Sequence, residues 1–327
     1  MRALVCNELG DPSVLKVEQL RIPRPRANEV LIQVGAAAVN FPDILMVAGT
    51  YQHKQALPFI PGMEGAGRII GVGKNVEGWR KDDRVIFGIR PGAFAEYVRV
   101  PADGHLMELP APWTWSEGAG FRIAAQTAYH SLVHRAALKK GEIVLIHGAS
   151  GGVGLAAVQL AKHLGATVIA TGSDDRKLEV VKEYEADHTI NYLKNDFVPV
   201  VKELTGGKGA DVIYDPVGGE VLEKSLKAAA YGARILVVGF TSGAPTEIMS
   251  NYALIKGLSI LGVRAGETAQ RMPELAEDYA VELPKLAWLD VMKPHVSHRF
   301  PLQRAAEAFK ALVDRKVIGK AVIEMDA

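Results

Sequence analysis

The chain has 327 residues, of which 48% are hydrophobic and 23% charged, and its 38 basic and 37 acidic side chains leave a net charge of +1. That balance belongs to an ordinary folded protein of about two domains, and it excludes nucleic acid or an anionic membrane surface as the main partner. No run approaches the ~20 apolar residues of a membrane span, and no charged-then-apolar leader pattern opens the chain, so a cytoplasmic protein is expected.

Cys6 is the single cysteine, which excludes an internal disulfide, a C-x-x-C site and a multi-cysteine zinc lobe. His130 and His134 stand four apart, as on one helical face, but no acid or third ligand accompanies them. They read as ordinary helix residues, as do His295 and His298, and no metal site is expected.

In chain order, the first hundred-odd residues alternate short β-rich runs with Gly and Pro: 29–40, 67–73, 83–88 and 95–101. This pattern predicts a compact, barrel-like β domain. Residues 116–138 predict one long alanine-rich helix with Ser116 as its N-cap. Strand and helix then alternate: strands at 143–148, 167–173, 188–192, 210–218, 234–240 and 258–263, with helices between them that include 153–165, 174–186 and 220–232. Continuous apolar strands spaced by helices are the mark of a doubly wound parallel sheet. The alternation stops near residue 265, and a helix within 301–315 and a strand at 320–325 are expected to return to the first domain. The predicted division is therefore 1–122 with 265–327, and 123–264 as a dinucleotide-binding domain.

The stretch LIHGASGGVGLAA (145–157) lies between the first strand and helix of that sheet. Amides at a helix N-terminus are unsatisfied and favour a phosphate, so the turn reads as a diphosphate cradle of the form A149-x-G151-x-x-G154. Gly152 gives room for close backbone approach and Gly154 for helix–strand packing. An NAD-preferring fold often carries an acid about 20 residues further on, to hold the ribose 2′-hydroxyl. Gly172 occupies that place, followed by Ser173, Asp174, Asp175, Arg176 and Lys177. A missing carboxylate removes repulsion for a 2′-phosphate, Ser173 offers a hydrogen bond and Lys177 a charge, and Tyr192 can cover the adenine or touch the same phosphate. NADPH is the expected cofactor, with Asp174 and Asp175 read as caps of the following helix.

With the loop placed behind a β-rich first domain, the chain resembles the zinc-free, zeta-crystallin-like quinone oxidoreductases of the medium-chain dehydrogenase/reductase superfamily. The likeness spans essentially the whole chain and is carried by 39–51 (VNFPDILMVAGTY), 57–67 (LPFIPGMEGAG), 127–132 (TAYHSL), 144–166, 186–192 and 235–240. It implies a GroES-like β-rich catalytic domain joined to a Rossmann domain, with nicotinamide and acceptor in the cleft between them. In the zinc-dependent alcohol dehydrogenases of the superfamily a Cys and a His ligate the catalytic zinc. Asn40 and Met63 stand at those positions here.

The resemblance further implies that Ser150, Gly151, Gly152 and Val153 hold the diphosphate, and that Gly172, Ser173, Lys177 and Tyr192 surround the adenosine end, with Arg315 lending charge near the 2′-phosphate. Thr127, Val238, Gly239, Phe240, Val263, Arg264 and Ala265 would line the nicotinamide half. Asn40, Asp43 and Tyr51 would face the substrate, with Asn40 and Tyr51 donating to a reduced oxygen. Each has a plainer alternative: Asn40 and Asp43 as capping or turn residues around Pro42, Tyr51 as a lid residue, Phe240 as a packing residue. Arg264 and Arg122 would favour an acidic or CoA-linked acceptor if they point into the cleft; otherwise they form surface ion pairs.

Zinc supplies several kcal/mol by polarising an isolated carbonyl, so its loss favours acceptors in which conjugation already spreads the developing charge. The expected function is NADPH-dependent reduction of quinones by hydride transfer. The rivals are reduction of enal, enone or enoyl-thioester double bonds, with Tyr51 as proton donor, and NADPH binding without catalysis. The resemblance also implies a homodimer, with 258–263 as the edge strand that pairs across the twofold axis.

Overall fold

The computed structural model describes residues 1–243 and 245–325. The chain divides into two compact units: Met1–Ile123 with Ala276–Leu289 and Lys293–Ala327, and Ala124–Leu275 with Asp290–Met292.

The first unit is built on a seven-stranded sheet ordered Val296–Pro301, Lys320–Glu324, Glu29–Val39, Glu64–Val72, Arg84–Gly88, Leu106–Glu108, with Tyr97–Pro101 also paired to Glu29–Val39. Every pairing is antiparallel except that of the first two strands. The register of Glu29–Val39 against Glu64–Val72 shifts twice, between Leu31 and Ile32 and between Val34 and Ala36. Such bulges bend a long strand and let the sheet wrap around a core, here one that includes Ile32, Ile69, Phe87, Phe94 and Phe309. Arg2–Val5 and Lys16–Gln19 form a separate ribbon.

The second unit is a six-stranded parallel sheet ordered His188–Asn191, Thr167–Gly172, Ile143–Ile146, Ala210–Asp215, Ala229–Val237, Ser259–Gly262. Numbered along the chain that order is 3-2-1-4-5-6, the doubly wound Rossmann arrangement the alternation predicted. The central strands carry its apolar core, in which Leu145, Ile169, Ile213 and Ile235 are all but inaccessible.

Three local expectations need correction. The long helix at 116–138 is instead two short helices, Trp115–Ala119 and Arg122–Tyr129, followed by a π-helical turn, His130–Arg135. Its first cap is Thr114, not Ser116: the Thr114 Oγ1 accepts the Glu117 N–H at 3.2 Å, and the Glu117 carboxylate accepts the Thr114 N–H at 2.7 Å. This reciprocal box satisfies two amides, whereas the Ser116 hydroxyl donates to Glu324 at 2.5 Å.

The helix expected over 220–232 ends at Ala228, and a strand begins at Ala229. The Lys256 ammonium donates to the carbonyls of Leu226, Lys227 and Ala229 at 2.8–3.1 Å, closing the helix C-terminus with positive charge. Finally, the first unit contains a helix, Phe41–Val47, where short strands alone were expected. Pro42 in its first turn suits a helix start.

Candidate active site

In the second unit every backbone feature expected to meet a dinucleotide lies at the carboxyl ends of the parallel strands, where such folds bind ligands. Strand Ile143–Ile146 runs through His147 into the turn Gly148–Gly151, and helix Gly152–His163 follows. Gly148 adopts φ +55°, which favours glycine. A Cβ on Gly154 would stand 2.3 Å from the Gly148 carbonyl oxygen and 2.8 Å from the Ala149 Cα, so the helix rests directly on the turn. Ala149 in the first slot is wholly buried, and its N–H donates to Thr171 O at 3.1 Å.

The N-cap, Gly151, supplies no side-chain acceptor to the helix's first amides, and no acidic residue occupies its first turn. The helix therefore presents unneutralised positive potential at the turn that holds Ser150, Gly151, Gly152 and Val153, and this fits an anionic diphosphate.

Around the end of strand Thr167–Gly172, Tyr192 donates its N–H to Gly172 O at 3.0 Å. A Cβ on Gly172 would press on Leu178 at 3.0 Å, so the slot where an acid would stand is kept small by packing. Asp174 is the helix cap, accepting the amides of Arg176 and Lys177 at 2.8 and 3.4 Å. Asp175 is paired with Lys194 and accepts from Asn191 at 2.6 Å. Both acids that follow Ser173 are thus committed to local structure, and Ser173 and Lys177 are half-buried beside them. The residues present fit a phosphorylated ribose.

On the other half of the sheet, Val238 N donates to Asp215 O at 2.9 Å and Val263 N to Val237 O at 3.0 Å, which brings Val238, Gly239, Val263 and Ala265 to one edge. Phe240 is exposed, Thr127 lies half-buried on helix Arg122–Tyr129, and the Arg264 side chain is half exposed, 3.7 Å from Glu267. Arg315 belongs to the first unit, at φ +54° in the turn after helix Ala305–Val313. The sequence reading missed Asp215. Its Oδ1 accepts from Val217 and Gly218 at 2.6 and 3.0 Å, while its buried Oδ2 has no hydrogen-bond partner among the described residues. An acid directly before Pro-Val-Gly-Gly at a strand end was the available signal.

Two of the candidate groups of the first unit, Asn40 and Asp43, belong to a buried polar cluster. Asn40 N-caps helix Phe41–Val47, and Asp43 in its first turn accepts the Asn40 N–H at 2.8 Å and the Gly62 N–H at 3.2 Å. Asp43 is fully buried, and burial pushes its carboxyl up to about 7 against the downward pull of those amides and of Lys320. Both amide hydrogens of Asn40 are engaged, with Glu64 Oε1 at 3.0 Å and Ala38 O at 3.3 Å. Lys320 donates to Asn40 Oδ1 and to Glu64 Oε1, each at 2.8 Å, and Glu64 Oε2 accepts the Ile123 N–H at 2.8 Å. Glu64 and Lys320 are 0% and 5% exposed, so this is a dry ion pair in which Lys320 makes two hydrogen bonds.

Glu64 and Lys320 were absent from the sequence-derived site. Glu64 had a signal, an acid inside an apolar Gly-rich run. Lys320 had none, because only strand pairing brings it to Asn40. Tyr51 is half-buried against the same core with its ring edge-on to His53, 5.8 Å away, and its hydroxyl makes no hydrogen bond among the described residues. Among those residues no group of three or more His, Cys, Asp and Glu is arranged to hold a metal ion.

Comparison with known proteins agrees with both halves. Residues 26–111 match the alcohol dehydrogenase GroES-like domain, and residues 152–280 match the zinc-binding dehydrogenase domain. The chain is 36% identical to the quinone oxidoreductase-like protein 2 homolog of Nematostella vectensis over 325 residues, 98% of this chain and 88% of that protein. It is 35% identical to the quinone oxidoreductase of Homo sapiens over 315 residues, 96% and 94% of the two. The crystal structure of Escherichia coli quinone oxidoreductase, complexed with NADPH, superposes with a TM-score of 0.91 at 29% identity, over 99% of this chain and all of that one. The likeness runs the whole length of the chain, and this chain belongs to the quinone oxidoreductase family of the medium-chain dehydrogenase/reductase superfamily.

Proposed function

We propose that this protein is an NADPH-dependent reductase of quinones that works without a metal. The observation that carries the reading is the end of strand Thr167–Gly172: no acid stands at Gly172, and Asp174 and Asp175 are tied up in a helix cap and an ion pair. A 2′-phosphate therefore meets Ser173 and Lys177 with little opposition. The uncapped turn at Ser150–Val153 takes the diphosphate, Tyr192 the adenosine end, and Thr127, Val238–Phe240 and Val263–Ala265 the nicotinamide half; Arg315 supplies further charge for the 2′-phosphate.

When bound, the cofactor supplies a hydride. The protein's own groups orient the acceptor and manage its proton. Asn40 is held rigid by Lys320 and Glu64, and Asp43 fixes the backbone around it, so both act as positioning residues. Tyr51, whose hydroxyl is uncommitted, is the group that donates to the reduced oxygen. The exposed edge strand Ser259–Gly262, with Tyr231, Leu254 and Ile255 exposed in the same unit, supports a homodimer, and the reading places the protein in the cytoplasm.

The test is the loss of nicotinamide absorbance with NADPH or NADH, in chelator, against a simple quinone, an unsaturated aldehyde, an enoyl-CoA and a primary alcohol run in reverse. Chelator-resistant, NADPH-preferring turnover of the quinone is expected. Turnover confined to the enal or enoyl-CoA moves the function to double-bond reduction, a reading the free Tyr51 hydroxyl also suits. In that case Tyr51→Phe should lower kcat by about 10²-fold or more. Silence with every acceptor despite NADPH binding marks a non-catalytic protein.

A further inference from the structure

Arg122 is the one basic residue of helix Arg122–Tyr129, and it occupies the first position, where the helix dipole disfavours a cation. Its guanidinium folds over Gly88: a Cβ there would lie 2.6 Å from Nε and 2.9 Å from Cδ, so in this arrangement the side chain occupies the space that the glycine leaves. Nη2 donates to Gly104 O at 2.7 Å, and no ion pair joins Arg122 to an acid among the described residues. Glu64 acts on it only through space, while the Glu64 carboxylate itself is bonded to Lys320 and the Ile123 amide. A half-buried guanidinium with one bond and four idle donors is a poor structural element.

A second cation stands close by. Arg90 is exposed two residues beyond Gly88 and likewise makes no ion pair among the described residues. His105, whose Nδ1 lies 3.2 Å from Gly88 O, feels both arginines, and together with burial they hold it below its ordinary pKa and so neutral. Asp103 acts on this histidine in the opposite sense. The cluster adjoins the polar site directly, for Gly88 pairs with Glu64 in the sheet, Ile89 donates to Met63 O at 2.9 Å, and Ile123 donates to Glu64.

We propose that Arg122, assisted by Arg90, binds an anionic group of the acceptor, so that the preferred substrate is a conjugated acceptor bearing a carboxylate or a phosphate. The planar fork of Arg122 grips two oxygens of such a group beside the Asn40–Glu64–Lys320 cluster. This rests on the reading of the protein as a reductase of conjugated acceptors.

The test separates the two ideas by measuring binding apart from turnover. Hydroquinone, 2,5-dihydroxybenzoate and 2,5-dihydroxyphenyl phosphate are titrated calorimetrically into the NADP-loaded protein and its variants. The wild type should bind one or both anions about tenfold or more tighter than hydroquinone. Arg122→Gln should erase that preference and leave hydroquinone unchanged, Arg122→Lys should keep part of it, and Arg90→Gln should lower it a few-fold. The tighter of the two anions identifies the group as carboxylate or phosphate. Equal binding of all three ligands by the wild type, or an equal loss for all three in Arg122→Gln, overturns the proposal. If Arg122→Gln does not fold, the Lys and Arg90 variants decide. Anion preference without turnover of any quinone would sink the quinone reading and leave the subsite standing. Quinone turnover with no anion preference would do the reverse.

Discussion

The glycine turn of the second unit and the buried polar cluster of the first are built on opposite principles. The turn is made of backbone from consecutive residues, and its specificity lies in atoms that are missing: a Cβ at Gly154 would stand 2.3 Å from a carbonyl oxygen. The cluster is made of side chains from distant strands, with Lys320 separated from Asn40 by 280 positions. A backbone site needs no desolvated charge and fails by steric intrusion. A side-chain site of this kind buries charges and fails when any one of them loses its partner.

The largest expected effect follows from that second mode of failure. Lys320→Met should destabilise the protein by about 3–5 kcal/mol, because it strands the Glu64 carboxylate in a dry interior. Urea unfolding of Lys320→Met against the double variant Glu64→Gln with Lys320→Met checks this, since removing the second charge should recover much of the loss. NADPH affinity of the folded fraction should be unchanged. A Lys320→Met protein as stable as the wild type would show that the cluster is not the rigid element described.

The cluster also predicts a pH dependence that the turn does not. The Asp43 carboxyl, ordinarily near 3.8, is raised to about 7 in the fold. The folded state therefore retains a proton that the unfolded state releases between those values. Its stabilising contribution is complete below about pH 4 and is lost as pH rises through about 7, by a few kcal/mol at most. Asp43→Asn should flatten this part of the stability profile while lowering its overall level, since one of the two amide N–H groups then faces an NH₂. A wild-type profile that rises between pH 4 and 7, with no difference in Asp43→Asn, would show the carboxylate to be ionised throughout.

The turn can be broken in a graded way. Gly154→Ala should cost about 1–3 kcal/mol by overpacking and weaken NADPH binding sharply, as read by cofactor fluorescence. Gly151→Ala is the control. A Cβ there would meet only the Gly148 carbonyl, at 3.3 Å, and the backbone is extended at φ −79°. Its effect should be clearly smaller, and equal losses would mean that the Gly154–Gly148 approach is not what sets the turn.

These two regions also explain what the sequence disclosed. The glycine turn and the parallel sheet were legible because their signals are local: apolar strand, turn glycines, apolar helix, repeated along the chain. The misplaced cap at Ser116 shows the limit of that logic, since the Thr114–Glu117 box lay two residues upstream in an equally local pattern, but Ser116 was already engaged by Glu324 from the far end of the chain. Asn40 and Asp43 were singled out, yet their roles depend on Gly62, Glu64 and Lys320, which sheet pairing supplies. Nothing near residue 320 in the sequence marks it as polar-core. Lys320 opens a strand of buried residues and is visible only in the register that sets Ala321 opposite Val39.

The finest distinction concerns Lys177, at the rim of the backbone-built site. Its amide is fixed by the Asp174 cap at 3.4 Å, so its helix position is set locally whatever its side chain does. If the ammonium meets the 2′-phosphate, Lys177→Ala should raise the KM for NADPH about tenfold and leave that for NADH unchanged, the size of one charge-assisted contact. The two cofactors differ only in that phosphate, so their ratio isolates it from any general loosening of the helix. Equal increases for both would assign Lys177 to the fold. Discrimination would then rest on Ser173 and on the absence of a carboxylate at Gly172, which can be probed by restoring the acid. Gly172→Asp should press on Leu178, 3.0 Å from the new Cβ, and should repel NADPH more than NADH. A shift toward NADH in that variant, with Lys177→Ala silent, would make the missing side chain the determinant of cofactor choice.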